Sequence, residues 1–502
     1  MHFSFARNTR IYHPNGVIIR YLNNLKKQIM IHKLVILIII VLMSWVGFAQ
    51  NETNKSYTLD ECIAVALEHN LDLKSTNLQA NSAKVNYQQS KANLLPSLNG
   101  NFSLGVNDGR SIDPFTNAYI NQELTFSNLG LSLDMTIFNG FRLLNSAKQE
   151  RLNKKASELE IEAEQQDLIL NVTLAYLQVL NARDVLELTK ARLKTTKQQL
   201  KIQQDFYDNE SGNPADYADI LGQVASDETS VLSSESGLNN AKLNLAQLMN
   251  LKENVNLATD GLILDFEKYN LSSDAVFEEA IQNLATFKAK ELRVEAAKKG
   301  VSVAKSQFTP EISLFGGVNT NYSSAAELFT ATGSNVVGTG DFVTVDGQDL
   351  PIMTEQTNFA SKSIGYKDQL DNNLNTVVGV AVNVPLFNGF RAKNNVALEK
   401  IRVEESIIEL ERTHVDIKNA IAQVYFDMEA AYNRHQSLEK QVDAYQESYR
   451  INDIRFKNGV SNFLNYITSK NNLDNAKVNL ANAKYEYLLR VKVLDYYRGI
   501  QI

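Results

Sequence analysis

Phe138-Asn139-Gly140-Phe141-Arg142 recurs as Phe387-Asn388-Gly389-Phe390-Arg391, and in both places the hydrophobic period changes across it from 2 to about 3.6. Before the first copy, Leu129, Leu131, Leu133, Met135 and Ile137 alternate with Gly130, Ser132, Asp134 and Thr136. Before the second, Leu374, Thr376, Val378, Val380, Val382, Val384 and Leu386 alternate in the same way. Such alternation describes a strand with one apolar and one polar face. After each copy a helical pattern runs on for about 60 residues with almost no Gly or Pro. Asn-Gly suits a sharp turn because Gly takes positive φ at no steric cost. Phe138, Gly140, Phe141 and Arg142, with Phe387, Gly389, Phe390 and Arg391, are therefore expected to form two joints between a strand and a very long helix.

A second strand precedes each of these. Leu98, Gly100, Phe102, Leu104 and Val106 alternate with Asn99, Asn101, Ser103, Gly105 and Asn107; Ile312, Leu314, Gly316 and Val318 do so more weakly. The expected strands are about 98–107, 126–138, 311–320 and 374–387. Upstream, residues 57–95 and 274–309 are helical in pattern and align at an offset of 214, with Pro96 matching Pro310. The pentapeptides are offset by 249, so 35 additional residues lie between Pro310 and Phe387. They fall in a polar stretch, 320–373, read as a loop with a turn at Asp346-Gly347; its first-half counterpart is 108–123. Two structural repeats result, 50–261 and 262–502, each a helix, two strands and a helical hairpin (about 142–250 and 391–497).

The hairpins carry coiled-coil seams. Ile421, Val424, Met428, Ala431, His435, Leu438, Val442, Tyr445, Tyr449, Asn452 and Phe456 keep 3-4 spacing, and so do the residues 249 positions earlier. Turns end them at Gly212-Asn213-Pro214 and Asn458-Gly459-Val460. At ~1.5 Å per residue each rod reaches about 100 Å, which suits a tube and not a globule.

Residues 1–49 read as a secretory signal: Lys26, Lys27 and Lys33, the apolar run from Leu34 to Val46, and small residues before cleavage after Ala49. Met30 would give a signal of ordinary length. The net charge of −7 offers no case for a nucleic-acid partner, and the single cysteine, Cys62, excludes an internal disulfide. A mean hydropathy of −0.25 argues against a multi-helix membrane protein but not against a barrel, whose strands are half apolar. No catalytic, cofactor or metal-binding constellation is present, and enzyme function is not expected; His69, His414 and His435 lack ligand spacing.

Strands of about 10 residues can cross a bilayer, but four cannot close a barrel, and an open edge in lipid leaves backbone groups unpaired. The barrel has to be shared between chains. The expected fold is thus an α+β membrane protein, four strands per chain in a shared β-barrel that continues into a long antiparallel coiled-coil tunnel. In such a strand Asp134 must face a wet lumen. The competing reading is a secreted or anchored coiled-coil scaffold without a pore, which accounts for the heptads but not for the paired two-faced strands.

The duplicated order of helix, strand, strand and long hairpin, with Phe-Asn-Gly-Phe-Arg at the joints, resembles the TolC outer-membrane efflux family. The resemblance implies a homotrimer in the outer membrane with its helices in the periplasm. It also implies a passive duct for a tripartite efflux pump or type I secretion system, working with an inner-membrane transporter and a periplasmic adaptor. It places adaptor docking at the helical tips, at Gly212, Asn213, Asn458, Gly459 and Val460. Some members constrict the tip with carboxylates where this chain has Asn465 and Thr468, so a gate here would rest on these or on Phe463 and Tyr466.

Overall fold

The computed structural model describes residues 56–112, 117–121, 123–251, 255–257 and 266–500. The expected signal segment lies outside them, as do 113–116 and 122 in the first inter-strand loop. In chain order the strands are β1 (Ser56–Tyr57), β2 (Ser97–Asn107), β3 (Arg110–Ile112), β4 (Tyr119–Asn121), β5 (Leu124–Phe138), β6 (Asn256–Leu257), β7 (Glu311–Ser323), β8 (Glu327–Val345), β9 (Gln348–Ser363) and β10 (Asn375–Asn383). The helices are α1 (Leu59–His69), α2 (Leu71–Ala92), α3 (Arg142–Asp208), α4 (Pro214–Leu248), α5 (Ser273–Asn283), α6 (Ala285–Lys305), α7 (Tyr366–Asn372), α8 (Arg391–Lys457) and α9 (Phe463–Tyr497). Two units are compact. In the described part of the smaller, β1 pairs in parallel with β6. The larger, Leu59–Asn254 with Leu262–Ile502, holds everything else.

Each upstream helix is in fact two. Asn70 breaks the first, its side chain accepting from the amides of Asp72 and Leu73 and so capping α2. In the other half the break falls at Leu284, which is extended at φ −72°, ψ 129°. Asp60 and Glu61 favour the first turn of α1, and its buried face carries Cys62 and Ala66.

The helices α3 and α8 are 67 residues each, and α4 and α9 are 35 each. Buried seam positions include Val172, Ala175, Val179 and Leu186 on α3, and Ile421, Met428, Ala431 and His435 on α8. One core gathers Val276, Ala280, Leu284 and Phe287 against Ile421, Met428, Ala431, Tyr487 and Leu494. Ala289, Ala296, Gly300 and Ala304 are buried on α6, where small side chains let neighbouring helices approach; a Cβ on Gly300 would lie 2.6 Å from the Glu399 carboxylate.

The sheet has the order β10-β7-β5-β2, antiparallel throughout. Its fourth strand is shorter than expected, ending at Asn383, not near 387. Pro385 explains this, since it has no N–H to give to a ladder.

The stretch 320–373 corrects the expectation of a loop. Strand β7 continues to Ser323, and β8 with β9 makes a hairpin of 19 and 16 residues closed by Asp346 (φ 51°) and Gly347 (φ 83°). Two consecutive residues at positive φ match the right-handed twist of the flanking strands. The turn was legible; the strands were not, because Ser, Thr, Gly and Asn dilute their apolar positions.

Candidate functional site

The strand register sorts every sheet side chain onto one of two faces. Leu98, Leu133, Gly316 and Val378 lie abreast, and so do Gly100, Leu131, Val318 and Thr376. The opposite face carries Asn99, Ser132, Gly317 and Val377 in one row, then Asn101, Gly130, Asn319 and Asn375 in the next. The amides of Asn101 and Asn319 close over Gly130, where a Cβ would come within 2.6 Å of both oxygens. Phe126 covers Gly105, and Phe315 covers Gly379, so aromatic rings fill the gaps that strand glycines leave. Asp134 is exposed on this polar face, beside Ser97 and Phe315.

The apolar face is bare: Leu98 is 69% exposed, Phe102 64%, Val378 75% and Val380 60%. Both edges are open as well, because β2 and β10 each have one strand neighbour. A soluble sheet buries such a face and blunts such edges.

At the first joint Gly140 (φ 65°) and Phe141 (φ 62°) are both left-handed; at the second Gly389 (φ 61°) and Phe390 (φ 61°) repeat this. The Asn supplies the closure: Asn139 O accepts from Arg142 N and Asn139 Oδ1 from Leu143 N. Phe138 meets Phe141 edge to face at 5.4 Å and 86°, and Phe387 meets Phe390 at 5.6 Å and 87°. That contact helps hold a phenylalanine in a conformation that L-residues avoid. The glycine was legible in the sequence, whereas the left-handed phenylalanine after it was not. Arg142 lies 3.8 Å from Glu311, and Arg391 Nε donates to Asn388 O.

The two tips differ in detail. Gly459 has φ 70°, and Val460 N donates to Arg455 O to seal α8. In the other tip the left-handed residue is Glu210 (φ 55°), while Gly212 is small because a Cβ there would lie 3.0 Å from Phe206. Asn213 Oδ1 caps α4 through Ala215 N, and Asn462 Oδ1 caps α9 through Asn465 N. Burial, then repulsion from Asp219, raises the Asp216 carboxyl above its ordinary range, while its bond from Asn213 opposes this. Asn458 and Val460 are exposed.

Of the four gate candidates, two cannot line an opening as placed. Phe463 and Tyr466 are 2% and 3% exposed, packed with Ile220 and Ile467 inside the tip and flanked by Leu200, Tyr217, Tyr449 and Phe456. Rings at helical spacing have filled the core instead. Asn465 and Thr468 are exposed on the other side of α9, with Leu464.

Above this core lies a polar lattice that the heptad reading missed. Asp227 on α4 and Lys470 on α9 are 1% and 2% exposed. Arg192 Nε stands 2.8 Å from Asp227, Thr196 Oγ1 donates to Asp227 Oδ2 at 2.6 Å, and Lys470 Nζ reaches Thr196 Oγ1 at 3.1 Å and Asp474 at 2.8 Å. The only sequence signal was a charge at an inward position. Three helices are tied by this lattice, and separating α9 from α3 breaks the bond from Lys470 to Thr196 and opens the Arg192–Asp227 pair to water.

Among the described residues no cluster of His, Cys, Asp and Glu could hold a metal, and no helix is long and apolar enough to cross a membrane. Burial pushes the Cys62 thiol up to about 12. The outer membrane efflux protein family model matches residues 62–251 and 276–497. The chain belongs to that family. Among curated relatives it is similar to the toxin and drug export protein A of Aggregatibacter actinomycetemcomitans, 22% identical over 444 residues, 86% of this chain and 84% of that one. It is likewise similar to the outer membrane protein TolC of Vibrio cholerae, 21% identical over 433 residues, 86% and 88% of the two chains. A crystal structure of CusC shares the fold at TM-score 0.70 and 18% identity, covering 90% of this chain and 96% of that one. As a member of the outer membrane efflux proteins, this chain is an outer-membrane efflux channel.

Proposed function

We propose that copies of this chain share one β-barrel, three copies giving twelve strands, and that the halves 50–261 and 262–502 are internal repeats. The observation that carries this reading is the two-faced sheet with both edges open. Lipid accepts the apolar face, and a neighbouring copy satisfies each edge. The Asn-rich face with Asp134 then lines a wet passage, and Phe138, Phe141, Phe387 and Phe390 sit at the lipid–water boundary that aromatic rings favour. Arg142 and Arg391 follow just outside it.

The paired helices continue the passage through the periplasm, and their tips, at Gly212, Asn213, Asn458, Gly459 and Val460, receive an adaptor that links the duct to an inner-membrane transporter. The gate is formed by the exposed Asn465 and Thr468, and the lattice around Asp227 and Lys470 has to loosen for it to widen. Energy and cargo choice belong to the transporter, because a wide aqueous tunnel discriminates little. Tripartite efflux and type I secretion use such a duct alike. The bare strands disfavour a coiled-coil scaffold without a pore, since they would aggregate in water. Planar-bilayer recording on detergent-purified protein tests the reading: a conducting oligomer is expected, and a dissolved monomer without conductance overturns it.

A further inference from the structure

Two helices of the larger unit each carry an uncovered seam. On α2, Leu71, Leu78 and Val85 recur every seven residues, and on α8, Ile401, Ile408 and Val415 do the same. All six are exposed, from 51% to 67%. Seven-residue spacing keeps each set on one face of its helix, the arrangement that a facing helix covers.

The packing order tells where that helix comes from. Helix α3 packs on both α2 and α6, and α6 packs on α8, so α2 and α8 stand at opposite ends of the row. Helix α2 leads into β2, and α8 follows β10; these are the two open edges of the sheet. Pairing β2 of one copy with β10 of the next therefore sets α2 of the first beside α8 of the second. One runs towards the sheet and the other away from it, so they meet antiparallel.

The internal repeat supplies a register. Within the chain, α6 and α3 are the corresponding pair, and Arg293 on α6 donates to Ser157 on α3 at 2.9 Å. The offset of 214 carries Arg293 to Gln79, and the offset of 249 carries Ser157 to Ser406. With Gln79 beside Ser406, Leu78 falls within one residue of Ile408, Val85 of Ile401 and Leu71 of Val415. Three apolar layers thus line up in a register taken from a polar contact elsewhere in the chain.

We propose that α2 of each copy zips onto α8 of the next, with Leu71 on Val415, Leu78 on Ile408 and Val85 on Ile401. This rests on the shared-barrel reading and extends that interface into the helices. The contact is head to tail, α2 meeting α8 and never itself, which is the kind that generates rings. A foreign helix would have no reason to match a register set by this chain's own repeat.

The test uses the full-length protein in outer membranes. Leu78→Cys with Ile408→Cys, and Val85→Cys with Ile401→Cys, are in register; Leu78→Cys with Val415→Cys is one heptad out, a shift of ~10.5 Å. A disulfide joins Cα atoms about 4.4–6.8 Å apart, so oxidation with copper phenanthroline separates the two registers. The native Cys62 is buried on α1 and its thiolate is suppressed, so background coupling is low. Both in-register pairs are expected to give reducible dimers and trimers on denaturing gels, at least fivefold more than the shifted pair. Equal coupling in all three, or none in protein that still runs as an oligomer on native gels, overturns the seam and leaves the shared barrel standing. If the unsubstituted chain is itself a monomer on native gels, both readings fall.

Discussion

Gly140 and Gly389 hold the same place in the repeated pentapeptide but are bound by different constraints. Both are left-handed, yet a Cβ on Gly140 would lie 1.9 Å from Thr309 Oγ1, while nothing approaches Gly389. Gly389→Ala is expected to cost about 1–2 kcal/mol, the left-handed penalty alone. Gly140→Ala should cost clearly more and prevent native assembly; thermal dissociation of the detergent-solubilised oligomer compares them. The tips give a mirrored pair. Glu210→Gly is expected to raise stability by about 0.5–1 kcal/mol by relieving a left-handed glutamate, and Gly459→Glu to lower it by about 1–2 kcal/mol. Chemical denaturation followed by circular dichroism decides both. His435 adds a pH dependence. Burial lowers its pKa, Glu439 opposes this and Lys484 adds to it, with the ring 3.9 Å from that of Phe266. A depressed histidine pKa means that the unfolded chain binds the proton more readily. Stability therefore falls as pH drops from about 7 through the ordinary histidine pKa to the lower folded one. His435→Leu should flatten that part of a melting-temperature profile, and an unchanged slope would assign it to other groups.

At the scale of elements, the paired rods are held by apolar seams interrupted at one level by the Arg192, Thr196, Asp227 and Lys470 lattice. Asp227→Ala leaves Arg192 without its counter-charge and Thr196 without its carboxylate acceptor, and is expected to destabilise the tip by about 3–5 kcal/mol. Asp227→Leu combined with Arg192→Met should recover most of that loss, because an apolar pair needs no counter-charge. Hydrogen exchange at 190–230 and 463–476 separates the two: fast exchange confined to the single variant is expected, and equal exchange in both would show that the lattice contributes little. The heptads foretold where α3, α4, α8 and α9 lie. They could not show which inward polar groups meet, since Asp227 and Lys470 are brought to the same Thr196 hydroxyl only by packing between helices distant in the chain.

For the whole molecule, the register makes facing testable one residue at a time. Val380 is on the apolar face, across from Leu314, and Ala381 is on the polar face, across from Ser313. Val380→Arg should cost ~2–4 kcal/mol near mid-membrane and abolish the oligomer. Ala381→Arg should assemble and reduce cation conductance instead. Oligomers of equal stability from both would reverse the assignment of lipid and lumen.

Alternation and heptads by themselves determined the class of this protein: two-faced strands, rods too long for a globule, and joints that require Asn-Gly. These are local properties, fixed by period and by the φ a residue tolerates. The sequence also placed a turn at Asp346-Gly347, but only tertiary structure extended strands on both sides of it, because pairing across the hairpin supplies the order that diluted apolar positions lack. Burial of Phe463 and Tyr466, likewise, was decided in three dimensions. A ring at helical spacing packs against a helix or faces water according to which neighbour lies beside it, and that neighbour is set by contacts hundreds of residues away.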